Sequence, residues 1–156
     1  MMMDVESTIN GFKTILKAEP YENLRDVLRR NGFTSVKKGC DVGGCGACTV
    51  IVDDKAVYSC CLLAGWADGR SITTLEGLAA GGSIDLIQKK FIEKGAAQCG
   101  FCTPGFIMMG KYIVEHKKNA SETEVRKALA GNLCRCTGYA KIVEAVMATM
   151  QEGGSK

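Results

Sequence analysis

In the first half of the chain, apolar and polar residues alternate in short, strand-like runs; in the second, apolar residues return every three or four positions. "VESTI" (5–9) and "FKTIL" (12–16) flank Asn10-Gly11. Both turn positions tolerate positive φ, so the pattern predicts a tight hairpin. "ENLRDVLRRNG" (22–32) predicts a short helix with Leu24, Val27 and Leu28 on one face and Gly32 beyond its end. "TVIVDD" (49–54) and "AVYS" (56–59) predict a second hairpin, and "SITTL" (71–75) a closing strand. Strands with one helix packed across them make a small α+β domain.

The second half reads as four short helices in a compact bundle. "SIDLIQKKFIEKG" (83–95) places Ile84, Ile87 and Phe91 at helical spacing and stops on Gly95. "TPGFIMMGKYIVEH" (103–116) opens with Thr103 as N-cap and Pro104 at the first helical position, where a missing N–H costs nothing. "SETEVRKALAG" (121–131) carries a Ser121/Glu124 capping box and Gly131 as its stop. "TGYAKIVEAVMATM" (137–150) gathers Ile142, Val143, Val146, Met147 and Met150 on one face. "LAAGGS" (78–83) is the predicted linker, which divides the chain into domains 1–77 and 78–156, and "QEGGSK" (151–156) is a frayed end.

Composition narrows the class. A chain of 156 residues with 46% hydrophobic and 24% charged residues is an ordinary globular protein. The start has neither a basic segment nor an apolar one, and no run approaches eighteen apolar residues, so neither a secretory signal nor a membrane span is expected. A net charge of +3 with scattered basic residues argues against nucleic acid, and Lys37 and Lys38 read as a solvated loop edge. Nine cysteines change the picture most. An odd count cannot pair fully within one chain, so metal ligation in a reducing cytoplasm is the better reading.

Cys40, Cys45 and Cys48 stand among Gly39, Gly43, Gly44 and Gly46, in the C-x4-C-x2-C spacing of plant-type 2Fe–2S ferredoxins. The glycines let main-chain N–H groups, rather than side chains, line the metal group. A zinc knuckle usually presents two close pairs instead. Cys60 and Cys61 compete for the fourth ligand position. Adjacent side chains of an extended strand point to opposite faces, so only one can reach, and the other is expected to be a small buried residue. Cys99-x2-Cys102 and Cys134-x1-Cys136 form a second set, each pair just before a predicted helix whose N-terminus would favour an anionic group. Two close pairs also suit a four-thiolate zinc site.

Three motifs together, "GCDVGGCGACTV", "QCGFCTPG" and "GNLCRCTGY", resemble the iron–sulfur subunit of the molybdenum hydroxylases over residues 4–150. That family includes xanthine dehydrogenase, aldehyde oxidoreductases, aerobic carbon monoxide dehydrogenase, nicotinate dehydrogenase and 4-hydroxybenzoyl-CoA reductase. "WADGRSITTLEGLA" and "GAAQCGFCTPGFIM" are most similar to the bacterial xanthine dehydrogenase branch. The resemblance implies an N-terminal β-grasp, ferredoxin-like domain and a C-terminal four-helix bundle, each holding one 2Fe–2S cluster. It implies Cys40, Cys45, Cys48 and Cys60 as ligands of the first cluster, leaving Cys61 spare, and Cys99, Cys102, Cys134 and Cys136 as ligands of the second. It further implies that Gln98 and Cys136 lie against the pterin of a molybdenum cofactor. Gly44 departs from the family, where many members carry glutamate, but it is not a ligand.

The function implied is an electron relay. Substrate oxidation at molybdenum releases two electrons, each cluster carries one at a time, and the family passes them through both clusters to FAD. The chain itself holds no G-x-G-x-x-G, and "GFIMMGKY" has Tyr112 where a phosphate loop needs Ser or Thr. One histidine, His116, makes no credible triad and reads as a surface residue. The molybdopterin-binding large subunit and the FAD-binding medium subunit would supply the remaining chemistry. A stand-alone two-cluster ferredoxin is the alternative, although its usual acidity is missing here. A zinc-organised module without redox activity is a third reading. Met108, Met109, Met147 and Met150 are expected in the bundle core.

Overall fold

The computed structural model describes residues 1–79 and 82–153. Positions 80 and 81 of the predicted linker and 154–156 of the predicted frayed end lie outside the described residues. The chain begins with β1 (Met3–Ile9) and β2 (Phe12–Ala18), joined at Asn10 and Gly11 with φ of 52° and 86°. This is the turn the Asn-Gly pair predicts, since its twist matches that of the strands it joins. Helix α1 (Leu24–Arg30) follows, capped by the Asn23 side chain, which accepts the Asp26 N–H at 2.9 Å. The second hairpin is β3 (Thr49–Val52) and β4 (Lys55–Tyr58), turning on Asp53 and Asp54, both at positive φ. β5 (Ser71–Thr73) completes a sheet of order β2-β1-β5-β3-β4. β5 lies parallel to β1 and antiparallel to β3. Alternation in β1 buries Val5, Ser7 and Ile9, and these meet Leu16, Val50, Ile72 and the Leu24, Val27, Leu28 stripe of α1 in one core.

The remaining elements are α2 (Leu75–Leu78), α3 (Leu86–Glu93), α4 (Thr103–His116), α5 (Glu122–Leu129) and α6 (Ala140–Gly153). A second core gathers Ile87, Phe91, Phe106, Ile113, Val125, Leu129, Ile142 and Val146. Met150 lies in this core and Met109 and Met147 pack against it, as expected, whereas Met108 is buried outside the cluster. All four residues of β3 are buried because α4 covers the sheet face opposite α1. Glu76 of α2 bonds back to the loop after α1, accepting from the Ser35 N–H at 2.9 Å and the Ser35 hydroxyl at 2.5 Å.

Several boundaries differ from the sequence expectation. The closing strand stops at Thr73, and Leu75–Leu78 form α2, where the sequence pattern runs the strand to Leu75 and begins the linker at Leu78. Ile84 lies outside α3 and is exposed, because Asp85 caps the helix in a reciprocal box with Gln88. Cys102, not Thr103, is the N-cap of α4, since the Thr103 N–H closes a turn onto Gly100 O at 3.3 Å. Gly131 is not a positive-φ stop after α5; the space its side chain would occupy is taken by the Tyr58 hydroxyl. The Ser121/Glu124 box is present as read, and Gly32 and Gly95 both adopt positive φ beyond their helices.

Candidate metal centres

All nine cysteines are free thiols, and eight fall into two groups. Cys40, Cys45 and Cys48 come from the loop between α1 and β3, and Cys60 comes from a 3-10 turn (Ser59–Cys61) after β4. The backbone of this loop turns its N–H groups onto sulfur. Val42, Gly44 and Cys45 donate to Cys40, which together with the Cys45 side chain holds that thiol down at about 7. Ala47 donates to Cys45, the Cys60 N–H to Cys48, and Gly43 to Cys60. Burial pushes Cys45, Cys48 and Cys60 up. The loop is tight at this point: a Cβ on Gly39 would stand 3.1 Å from the Cys45 sulfur.

Cys60 and Cys61 correct the sequence argument. They sit in a helical turn rather than a strand, so their sulfurs do not diverge but lie 3.7 Å apart. Cys60 packs against the first core, whereas Cys61 is exposed, contrary to the expected buried spare thiol.

The second group frames a cavity of about 430 Å³ bordered by Cys99, Cys102, Cys134, Cys136 and Tyr139. The Cys99 and Cys136 sulfurs are 3.6 Å apart and exposed. Burial pushes Cys102 up to about 12. Burial would raise Cys134 as well, but the Thr137 hydroxyl (3.1 Å), the Thr137 N–H and the Cys136 N–H donate to its sulfur and hold it at about 7. Tyr139 steadies the turn: its hydroxyl accepts the Cys134 N–H at 3.1 Å, and its ring meets Phe106 edge-on.

The two loops are bonded to one another. The Leu133 N–H donates to the Cys45 carbonyl at 2.9 Å. Asn132, 1% exposed, donates to Gly46 O at 2.9 Å and to Thr49 Oγ1 at 3.2 Å. The Tyr58 hydroxyl donates to Gly131 O at 2.8 Å. Sequence reading missed Tyr58, Asn132, Thr137 and Tyr139, which carry no ligand chemistry. It also missed Arg25, whose only signal was a cation set in the apolar stripe of α1.

Other candidate positions stand apart from sulfur chemistry. Gln98 is exposed and precedes Cys99 directly. Gly105, Gly110 and Lys111 lie inside α4, and Lys111 pairs with Asp85 at 2.7 Å, so no phosphate loop exists there. His116 is exposed and stacks on Tyr112. Among the described residues, no three His, Cys, Asp or Glu side chains close on one ion. The donor set is all thiol, main-chain N–H groups point at the sulfurs, and the second cavity has room for a multi-atom group; both sites fit 2Fe–2S clusters.

Residues 7–78 match the 2Fe-2S iron-sulfur cluster binding domain, and residues 74–147 match a second family, the 2Fe-2S binding domain. The chain is 51% identical over 145 residues to the xanthine dehydrogenase iron-sulfur-binding subunit of Escherichia coli O157:H7, covering 92% of this chain and 91% of that one. It is 48% identical over 143 residues to the nicotinate dehydrogenase small FeS subunit of Eubacterium barkeri, covering 91% of each. The crystal structure of quinoline 2-oxidoreductase from Pseudomonas putida 86 contains a chain that superposes with a TM-score of 0.94 at 39% identity, over 99% of this chain and 97% of that one.

Proposed function

The chain belongs to the iron–sulfur small subunits of the xanthine dehydrogenase-like molybdenum hydroxylases, and from that membership we propose how its residues serve electron transfer. Cys40, Cys45, Cys48 and Cys60 hold one 2Fe–2S cluster in a β-grasp domain (1–77). Cys99, Cys102, Cys134 and Cys136 hold the other in a four-helix bundle (78–156). When bound, the two clusters supply one-electron carriers between a two-electron molybdenum site and FAD.

The chain's own contribution is placement and charge. Donors from Val42, Gly44 and Cys45 at Cys40, and from Thr137 and Cys136 at Cys134, stabilise thiolate, the form that ligates metal. The carbonyl of Cys45 and the N–H of Leu133 join the residue bearing one ligand to the neighbour of another. That bond, between two all-thiol sites, is the observation that carries the reading. Cys99, Cys136 and Gln98 are exposed together, and we assign this face to a molybdopterin-binding large subunit, with Gln98 and Cys136 against the pterin. A FAD-binding medium subunit completes the assembly. No helix among the described residues is long and apolar enough to cross a membrane. We place the assembly in the cytoplasm, where thiols stay reduced.

Relatives of nearly equal identity bear the names of different substrates, xanthine and nicotinate. Substrate choice therefore belongs to the large subunit. Iron, acid-labile sulfide and zinc analysis of anaerobically purified chain, with visible absorption, tests the proposal. Four irons and four sulfides per chain, with absorption bleached by dithionite, are expected. Half that iron with one zinc would make the second site structural and end the relay reading.

A further inference from the structure

Arg25 heads the fully buried side chains by volume and is 1% exposed. It lies in α1 beside Leu24, Val27 and Leu28, where an aliphatic residue would fill the space at no electrostatic cost. Every nitrogen of its guanidinium is used. Nη1 donates to the Cys40 carbonyl at 2.8 Å, Nη2 to Asp41 Oδ1 at 2.8 Å and Asp26 Oδ2 at 2.9 Å, and Nε to Asp26 Oδ1 at 2.8 Å. Lys38, more exposed, pairs with Asp41 at 3.5 Å.

The four charges act unequally at the metal loop. Asp41 and Asp26 pair with the guanidinium directly, but their side chains are 65% and 37% exposed and Lys38 is 52% exposed, so solvent weakens their fields more than that of the buried Arg25. Arg25 bonds to the carbonyl of Cys40, a residue assigned above as a metal ligand. Reduction adds one negative charge to the centre, and a buried cation nearby favours the charged state.

We propose that Arg25 is a positioning residue that raises the reduction potential of the centre held by Cys40, Cys45, Cys48 and Cys60 by presenting a buried positive charge to the Cys40 backbone. This rests on the cluster assignment above. The test is a redox titration of the full chain followed by electron paramagnetic resonance, with iron and sulfide counted first, for wild type, Arg25→Gln and Arg25→Lys. Arg25→Gln is expected to lower the midpoint of one of the two signals and leave the other in place, while Arg25→Lys keeps both. An unchanged midpoint in Arg25→Gln, or an equal fall in both variants, overturns the role of charge. If Arg25→Gln loses the cluster, Arg25→Met decides: a lowered midpoint at the same signal, with Arg25→Lys unmoved, supports the proposal, and an unmoved midpoint overturns it. Wild-type chain with fewer than two clusters overturns the ligand assignment itself, a result the metal count reveals before any titration.

Discussion

Gly46 and Gly44 lie two residues apart in one motif, yet adding a methyl group to each has opposite consequences. Gly46 has φ +67°, and its Cβ would stand 2.7 Å from both Asn132 Nδ2 and Gly131 O. The left-handed backbone costs an L-residue roughly 1–2 kcal/mol. Forcing a methyl into filled space adds about 1–3 kcal/mol. Gly46→Ala should therefore lose roughly 2–5 kcal/mol, much of it by prising the Asn132 amide off Gly46 O. Gly44 does not have positive φ, and its Cβ would meet nothing nearer than Val42 Cγ2 at 3.7 Å, so Gly44→Ala is the neutral control. At roughly 2–4 °C per kcal/mol for a chain of this size, Gly46→Ala should melt at least about 4 °C below Gly44→Ala at one fixed scan rate by circular dichroism. Equal melting of the two variants would refute the steric argument.

Three further outcomes follow from the geometry. Thr137→Val removes the hydroxyl donor to Cys134 and should lower the potential of the second centre alone, read by the same titration, because hydrogen bonds to sulfur favour the reduced state. Cys60→Ser should halve the iron content, whereas Cys61→Ser should leave it whole; the reverse pattern would move the ligand assignment by one residue. Burial pulls the Lys111 ammonium down, but Asp85 and Glu115 outweigh it and raise its pKa. A raised folded pKa means stability present at neutral pH and below, lost as pH climbs through that value. The melting advantage of wild type over Lys111→Met should thus hold at pH 7 and fade above about pH 10.4, the unfolded value for lysine.

Much of this protein was legible in its sequence because local rules and global fold agree. Asn10-Gly11 favours the turn it makes, and the Ser121/Glu124 box reports its own helix end. The cysteine spacings likewise announce ligands. What escaped depended on partners distant in sequence. Gly131 reads as a helix stop, but its smallness serves Tyr58, 73 residues away. The Cys60–Cys61 argument presumed a strand, and a helical turn, which no periodicity marks over three residues, placed both sulfurs on one side. Arg25 flanks an apolar stripe like any helix-surface cation, and its burial depends on Cys40 and Asp41, 15 and 16 residues away.

The direct bond between the cysteine loops has an evolutionary consequence. Leu133 contributes its N–H and Cys45 its carbonyl, groups that every residue except proline can supply at the donor and every residue at the acceptor. One tie between the two sites is therefore written in main chain, beside the side-chain bonds of Asn132 and Tyr58. Side chains at positions 45 and 133 play no part in that tie, so Leu133 is free to drift toward new partners without loosening it. Proline at position 133 would remove the donor outright.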